Sequence, residues 1–133
     1  MIEQTQSRSV SDIFLEDGEE AFRTLEKAVL REELLTDNTV LSLGGGAPIS
    51  LDAQSALRAI ASPVIFLDVS LSTVAPRIGF NRDRPLLLNN PRGQWQTLME
   101  ARRPIYESIS DVIIDANEKS QYEIAAEVME AIQ

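Results

Sequence analysis

Arginines that could grip an anion crowd one part of this sequence. Residues 77–106 hold Arg77, Arg82, Arg84, Arg92, Arg102 and Arg103 against two acids, Asp83 and Glu100. The whole chain carries a formal charge of −9, so this stretch is a cationic island on an acidic protein. Its first half, I-G-F-N-R-D-R-P-L-L-L-N-N-P-R-G, is rich in glycine, asparagine and proline and reads as a mobile loop. Arginine presents a planar fork of donors that binds phosphate or carboxylate bidentately, which lysine cannot do. A small polyanionic ligand suits such a loop better than nucleic acid, whose binders are more often basic overall. A solvated charged loop is the competing reading.

Other chemistry is excluded by composition. The 133 residues contain no cysteine and no histidine. Thiol catalysis, disulfides, thiolate or imidazole metal sites and histidine-based triads are therefore ruled out. Acid–base work falls to carboxylates, and any metal would be a hard, oxygen-bound ion such as Mg²⁺. The chain is 44% hydrophobic and 25% charged, as ordinary globular proteins are. Its length suits one domain with a single core. No apolar run approaches a membrane span and M-I-E-Q-T-Q-S-R has no signal-peptide pattern, so a cytoplasmic protein without a membrane partner is expected.

The elements that must position these residues alternate between helix and strand. Ser9 and Asp12 resemble an N-cap pair opening a short helix, V-S-D-I-F. Asp17-Gly18 breaks the chain, and Asp17 with Glu20 is expected to cap a longer helix to about Leu35. Phe22, Leu25, Val29 and Leu34 form its core side. Thr39–Leu43 reads as a strand running into Gly44-Gly45-Gly46, and a helix follows over about Leu51–Ile60. Pro63–Val69 has the continuous apolarity of a strand buried on both faces. A short helix from about Ser70 to Gly79, a long one over Gln94–Tyr106 kinked at Pro104, a strand at Asp111–Asp115 and a helix over Ser120–Ile132 complete the chain. Three strands separated by helices predict an α/β fold, a parallel sheet with helices on both faces. Ligands in such sheets sit at the carboxyl ends of strands, where the triple glycine falls. Taken alone, G-G-G is a weak signal and reads first as a flexible strand-to-helix turn.

Five blocks together give a sharper reading. I-E-Q-T-Q-S-R-S-V-S-D-I-F, D-G-E-E-A-F-R-T-L-E, V-L-S-L-G-G-G-A, R-P-L-L and E-A-R-R-P-I-Y occur in the order and spacing of the shikimate kinases. The sequence resembles that family over nearly its whole length. The resemblance implies a P-loop-kinase-like fold and phosphoryl transfer from ATP, with Mg²⁺, to a hydroxyl of shikimate in aromatic amino-acid biosynthesis. It also implies roles. Arg23 and Arg102 would hold the shikimate carboxylate, and the amides of Gly44, Gly45 and Gly46 would approach the substrate ring. Arg84, in a lid over residues 80–93, would meet the phosphates in the transition state. Arg77 would lie beside the adenine, with the turn around 117–121 on its other side. Lys119 and Gln121 stand in that turn where family members carry an arginine and a proline. Ser7 replaces a glycine common near the start, which reads as harmless loop variation. The enzyme is expected to act as a monomer.

One family feature has no counterpart. No G-x-x-x-x-G-K-[ST] occurs in the 133 residues, and no acid matches the family's D-x-D aspartates. Met1-Ile2-Glu3-Gln4 aligns just after that D-x-D segment. The resemblance therefore implies a chain that lacks the phosphate cradle, two strands and a helix, and that is inactive as it stands. A misplaced start and a degenerate, non-catalytic relative that binds a ligand or protein partner are both compatible with it. Without the P-loop strand, apolar edges at Thr39–Leu43 and Pro63–Val69 are expected to be exposed.

Overall fold

The computed structural model describes residues 1–78 and 90–133, except the side chains of Arg77, Ile78 and Pro91. They fall into two compact units, one of residues 1–59 and one of residues 60–78 with 90–133.

The first unit is helical. Helices α1 (Ile2–Gln6), α2 (Val10–Asp17), α3 (Glu19–Glu33) and α4 (Leu51–Ala59) follow in order. Ser7 ends α1 in the left-handed region, at φ 53° and ψ 33°. A glycine would adopt that conformation without steric cost, so the serine here is a mildly strained residue rather than neutral variation. Ser9 caps α2 as expected, its side chain accepting from the Asp12 amide at 3.1 Å. Gly18, at φ 90°, separates α2 from α3, and its amide donates to the Ile13 and Phe14 carbonyls at 3.2 and 3.1 Å. The expected cap by Asp17 is not made: α3 has no side-chain cap. Asp17 instead accepts from Arg8 at 2.6 Å, while Glu16 accepts from the other Arg8 nitrogen at 2.8 Å. These contacts hold the Asp17 carboxyl below its ordinary range.

Packing in this unit centres on Ile13, which is fully buried, with Phe22, Leu30, Ala53 and Leu57 also buried. The Phe14 and Phe22 rings meet at 4.8 Å. Leu25, Val29 and Leu34 are half-buried, so the core face of α3 runs through Phe22 and Leu30. Thr39–Leu43 does not form the expected strand. Among the described residues no strand pairs with it, and an extended segment without a ladder partner leaves its amides and carbonyls to solvent. Val40 is 99% exposed.

The second unit carries the sheet. Strands β1 (Ile65–Asp68) and β2 (Val112–Asp115) pair in parallel, Ile65 with Val112 through Asp68 with Asp115. Helices α5 (Leu71–Ile78) and α6 (Pro91–Ile109) lie between them in sequence, and α7 (Gln121–Ala131) follows β2. The β1 strand is shorter than Pro63–Val69 and is not buried on both faces: Leu67 is 47% exposed, as Ile113 of β2 is 51%. The long helix starts three residues earlier than expected because Asn90 caps it, accepting from the Gly93 amide at 3.4 Å with Pro91 at the first position. It continues through Pro104 to Ile109. Ser120 and Glu123 make the reciprocal capping box that opens α7. Ala75, Ile109, Ile114 and Ala116 are buried. Among the described residues no helix is long and apolar enough to cross a membrane.

Candidate functional site

In the first unit the sequence-predicted residues Arg23 and Gly44–Gly46 come together. Arg23 stands one turn into α3, and its Nη1 donates to Glu26 Oε1 at 2.7 Å while Nη2 reaches Glu19 Oε1 at 3.4 Å. Its guanidinium also lies 5.2 Å from the Phe22 ring centroid. The turn carrying the glycines closes on itself, the Ala47 amide donating to the Gly44 carbonyl at 3.0 Å and the Ile49 amide to the Gly46 carbonyl at 3.3 Å. This turn lies directly on Arg23. A Cβ on Gly46 would stand 2.6 Å from both Cζ and Nη2 of Arg23, inside any normal contact. A Cβ on Gly44 would stand 3.7 Å from Glu26 Oε2, an ordinary distance. Gly46 is thus the glycine that close approach requires, and Gly45 is an exposed turn residue.

Glu26 was not singled out from sequence. Its side chain is only 13% exposed and fixes the inner nitrogen of Arg23. The available signal was spacing: a glutamate three residues after an arginine on a helix shares its face. A guanidinium has five N–H donors, so these two carboxylates leave donors of Arg23 for a ligand carboxylate.

In the second unit, Arg102 and Arg103 are neighbours on α6 with different circumstances. Arg103 donates from both terminal nitrogens to Asp68, at 2.9 and 2.5 Å, and lies 3.5 Å from Glu107. Its guanidinium sits 5.6 Å from the Phe66 ring centroid, and Phe66 meets Tyr106 at 5.2 Å. The hydrogen bonds it donates to Asp68 push the Arg103 pKa above its ordinary value. Half-buried Arg102 has no ion-pair partner for its guanidinium among the described residues.

The turn after β2 is tied to the turn after β1. The Asn117 Oδ1 accepts from the Ser70 amide and from Thr73 Oγ1, both at 2.8 Å, and its Nδ2 donates to Asp115 at 2.9 Å. Hydrogen bonds from the Asn117 backbone and side chain hold the Asp115 carboxyl low. Glu118 takes the left-handed conformation, φ 53°. Lys119 donates to both oxygens of Glu127, at 2.9 and 3.0 Å, which raises its pKa. Its ammonium is therefore engaged within the protein. Arg77 lies in the last turn of α5, with its side chain outside the described residues. Arg84 and residues 80–89 of the expected lid also lie outside them. For Mg²⁺ the donor set does not fit: among the described residues no three Asp or Glu side chains converge to hold a metal.

Comparison with known proteins accounts for this arrangement. The family model for shikimate kinase matches residues 1–133. That match starts at residue 1, so it lends no support to an expected gap at the front. The shikimate kinase of Streptomyces coelicolor is 38% identical over 128 residues, 96% of this chain and 74% of the relative. That of Thermobifida fusca is 41% identical over 124 residues, 93% of this chain and 71% of the relative. Among solved structures, shikimate kinase from Acinetobacter baumannii in complex with shikimate superposes with a TM-score of 0.94 at 28% identity, covering 98% of this chain and 73% of its own. The enzyme from Aquifex aeolicus gives 0.80, also at 28% identity. The α/β P-loop-kinase-like fold, a parallel sheet with helices, is the one read from the sequence. A family-model match along all 133 residues, with a relative and a solved structure alike over nearly all of them, makes this chain a member of the shikimate kinase family.

Proposed function

We propose that this chain supplies the shikimate-recognition part of an ATP:shikimate phosphotransferase, which moves the γ-phosphoryl group to a shikimate hydroxyl and yields shikimate 3-phosphate. The whole-length family match carries this reading. It is supported by Arg23 standing ready on α3 against the Gly44–Gly46 turn and by Arg102 having no ion-pair partner among the described residues. Each of these arginines is assigned to the shikimate carboxylate, a group whose geometry matches a guanidinium fork. The glycine turn lets backbone amides approach the ring and its hydroxyls. Arg84, in a lid over residues 80–93 of a single domain, meets the phosphates as charge redistributes. Arg77 and Lys119 flank the adenine, Lys119 being the weaker assignment because Glu127 already holds it.

ATP is the family's co-substrate. Phosphoryl transfer in P-loop enzymes depends on a cradle of amides with a lysine, and on a Ser or Thr that holds Mg²⁺. These 133 residues contain no such pattern, and the described carboxylates do not form a site for the ion. The 133-residue polypeptide alone is expected to bind shikimate without phosphorylating it. The second reading is a non-catalytic relative that binds shikimate-like ligands or a protein partner. The reading places the protein in the cytoplasm as a monomer, and its charge of −9 disfavours nucleic acid as a partner. The test is ATP-dependent formation of shikimate 3-phosphate by the purified polypeptide, freed of other kinases. Turnover would refute its incompetence, while saturable shikimate binding without turnover is the expected outcome.

A further inference from the structure

Two adjacent arginines on one helix pose a problem for a site that must bind a single carboxylate in one register. Arg102 and Arg103 are separated by about 100° around α6, and either fork could take the anion. Asp68 resolves this. It is the last residue of β1, held there by pairing with Asp115 and by the Ala116 amide donating to its carbonyl at 2.9 Å. Its carboxylate takes both terminal nitrogens of Arg103. Phe66, two residues earlier, packs against Tyr106, which shares the α6 face of Arg103 and Glu107. That face is thereby pinned to β1 by an ion pair and a ring contact.

We propose that Asp68 is a positioning residue for substrate recognition: it sequesters Arg103 and fixes the rotation of α6, so that Arg102 alone is presented to the ligand carboxylate. The inference rests on the proposed role of Arg102. It explains why two neighbouring arginines differ so sharply, one with a bidentate partner and one with none among the described residues. Removing the Asp68 charge frees a second guanidinium beside the first and loosens the helix that carries both. Arg102 would then be held less precisely toward the carboxylate, which meets a fork no longer fixed in one orientation.

Calorimetric titration of shikimate into the full chain and its variants tests this. Asp68→Asn is expected to weaken binding roughly tenfold when Arg102 is present. In an Arg102→Ala background the same change should alter binding by less than about twofold. Asp68→Glu, which keeps the charge, should recover most of the affinity. Should Asp68→Asn fold poorly, the paired change Asp68→Asn with Arg103→Gln replaces the ion pair by two amides and is expected to show the same dependence on Arg102. Equal losses in both backgrounds would overturn the proposal, since a general loosening of the fold would not need Arg102. An unchanged affinity in Asp68→Asn would overturn it as well. If Arg102→Ala alone leaves shikimate binding untouched, the functional reading falls and takes this inference with it. If Arg102→Ala weakens binding and Asp68→Asn does not, only the role of Asp68 falls.

Discussion

The Arg23 guanidinium occupies the space where a side chain on Gly46 would begin, and Glu26 and Glu19 hold it there. Gly46→Ala must therefore displace a guanidinium that two carboxylates restrain. The expected result is shikimate binding weakened by about an order of magnitude, the scale on which a lost or misplaced charge-assisted hydrogen bond acts. Thermal stability should change little, because the displaced atoms are the far end of a flexible side chain. Titration of shikimate alongside thermal unfolding separates the two, and unchanged affinity would mean that Arg23 reorients freely. At this scale the sequence was informative about residue type and mute about partners. Arg23 and the glycines were found through the blocks F-R-T-L-E and L-G-G-G-A. Glu26 lay in the same block but received no role. The pairing of Asp68 with Arg103 joins residues 35 apart, and no local pattern announces it. Asp17 looked like a helix cap but serves Arg8, since local capping competes with any cation brought within reach.

Among the elements, helices were the most legible, because caps and periodicity are written into neighbouring residues. Ser9 caps α2 as its position predicts, and α7 opens at Ser120, where the closing helix was expected. Strands depend on partners far away in sequence: Asp111–Asp115 became β2 because β1 stands beside it, whereas Thr39–Leu43 has the composition without a partner. The start of α7 also ties stability to pH. Hydrogen bonds from the Ser120 amide and hydroxyl region hold the Glu123 carboxyl below its ordinary value, and Asn117 does the same for Asp115. A carboxyl whose pKa is depressed by folding adds stability above its unfolded pKa and loses it as pH falls through the folded one. The loss should begin near pH 4.5 for Glu123 and near 3.8 for Asp115 and be complete below their folded values. Glu123→Gln should lower stability at neutral pH and flatten the decline in Tm between those limits. A decline of unchanged steepness would show that Glu123 has no part in it.

For the whole molecule, the acidic balance and the absence of cysteine and histidine narrowed the chemistry without naming it. Five blocks in order named the family, and the match over residues 1–133 bears that out. The fold class was legible because alternating helices and apolar strands leave few architectures. Burial was not: β1 looked like a strand covered on both faces, yet Leu67 is half exposed among the described residues. The lid and Arg84 fall outside those residues, so the sequence remains the basis for their roles. The central claim is that these residues recognise shikimate through its carboxylate, and one measurement tests it most directly. Shikimate and ATP are titrated separately into the purified 133-residue protein and its Arg23→Ala variant. The expected result is saturable shikimate binding that weakens by about 2–5 kcal/mol in the variant, the scale for losing one partner of a desolvated, hydrogen-bonded charge pair, with any ATP affinity far less affected. Shikimate affinity that is indifferent to Arg23, or a variant that loses both ligands equally, would contradict it.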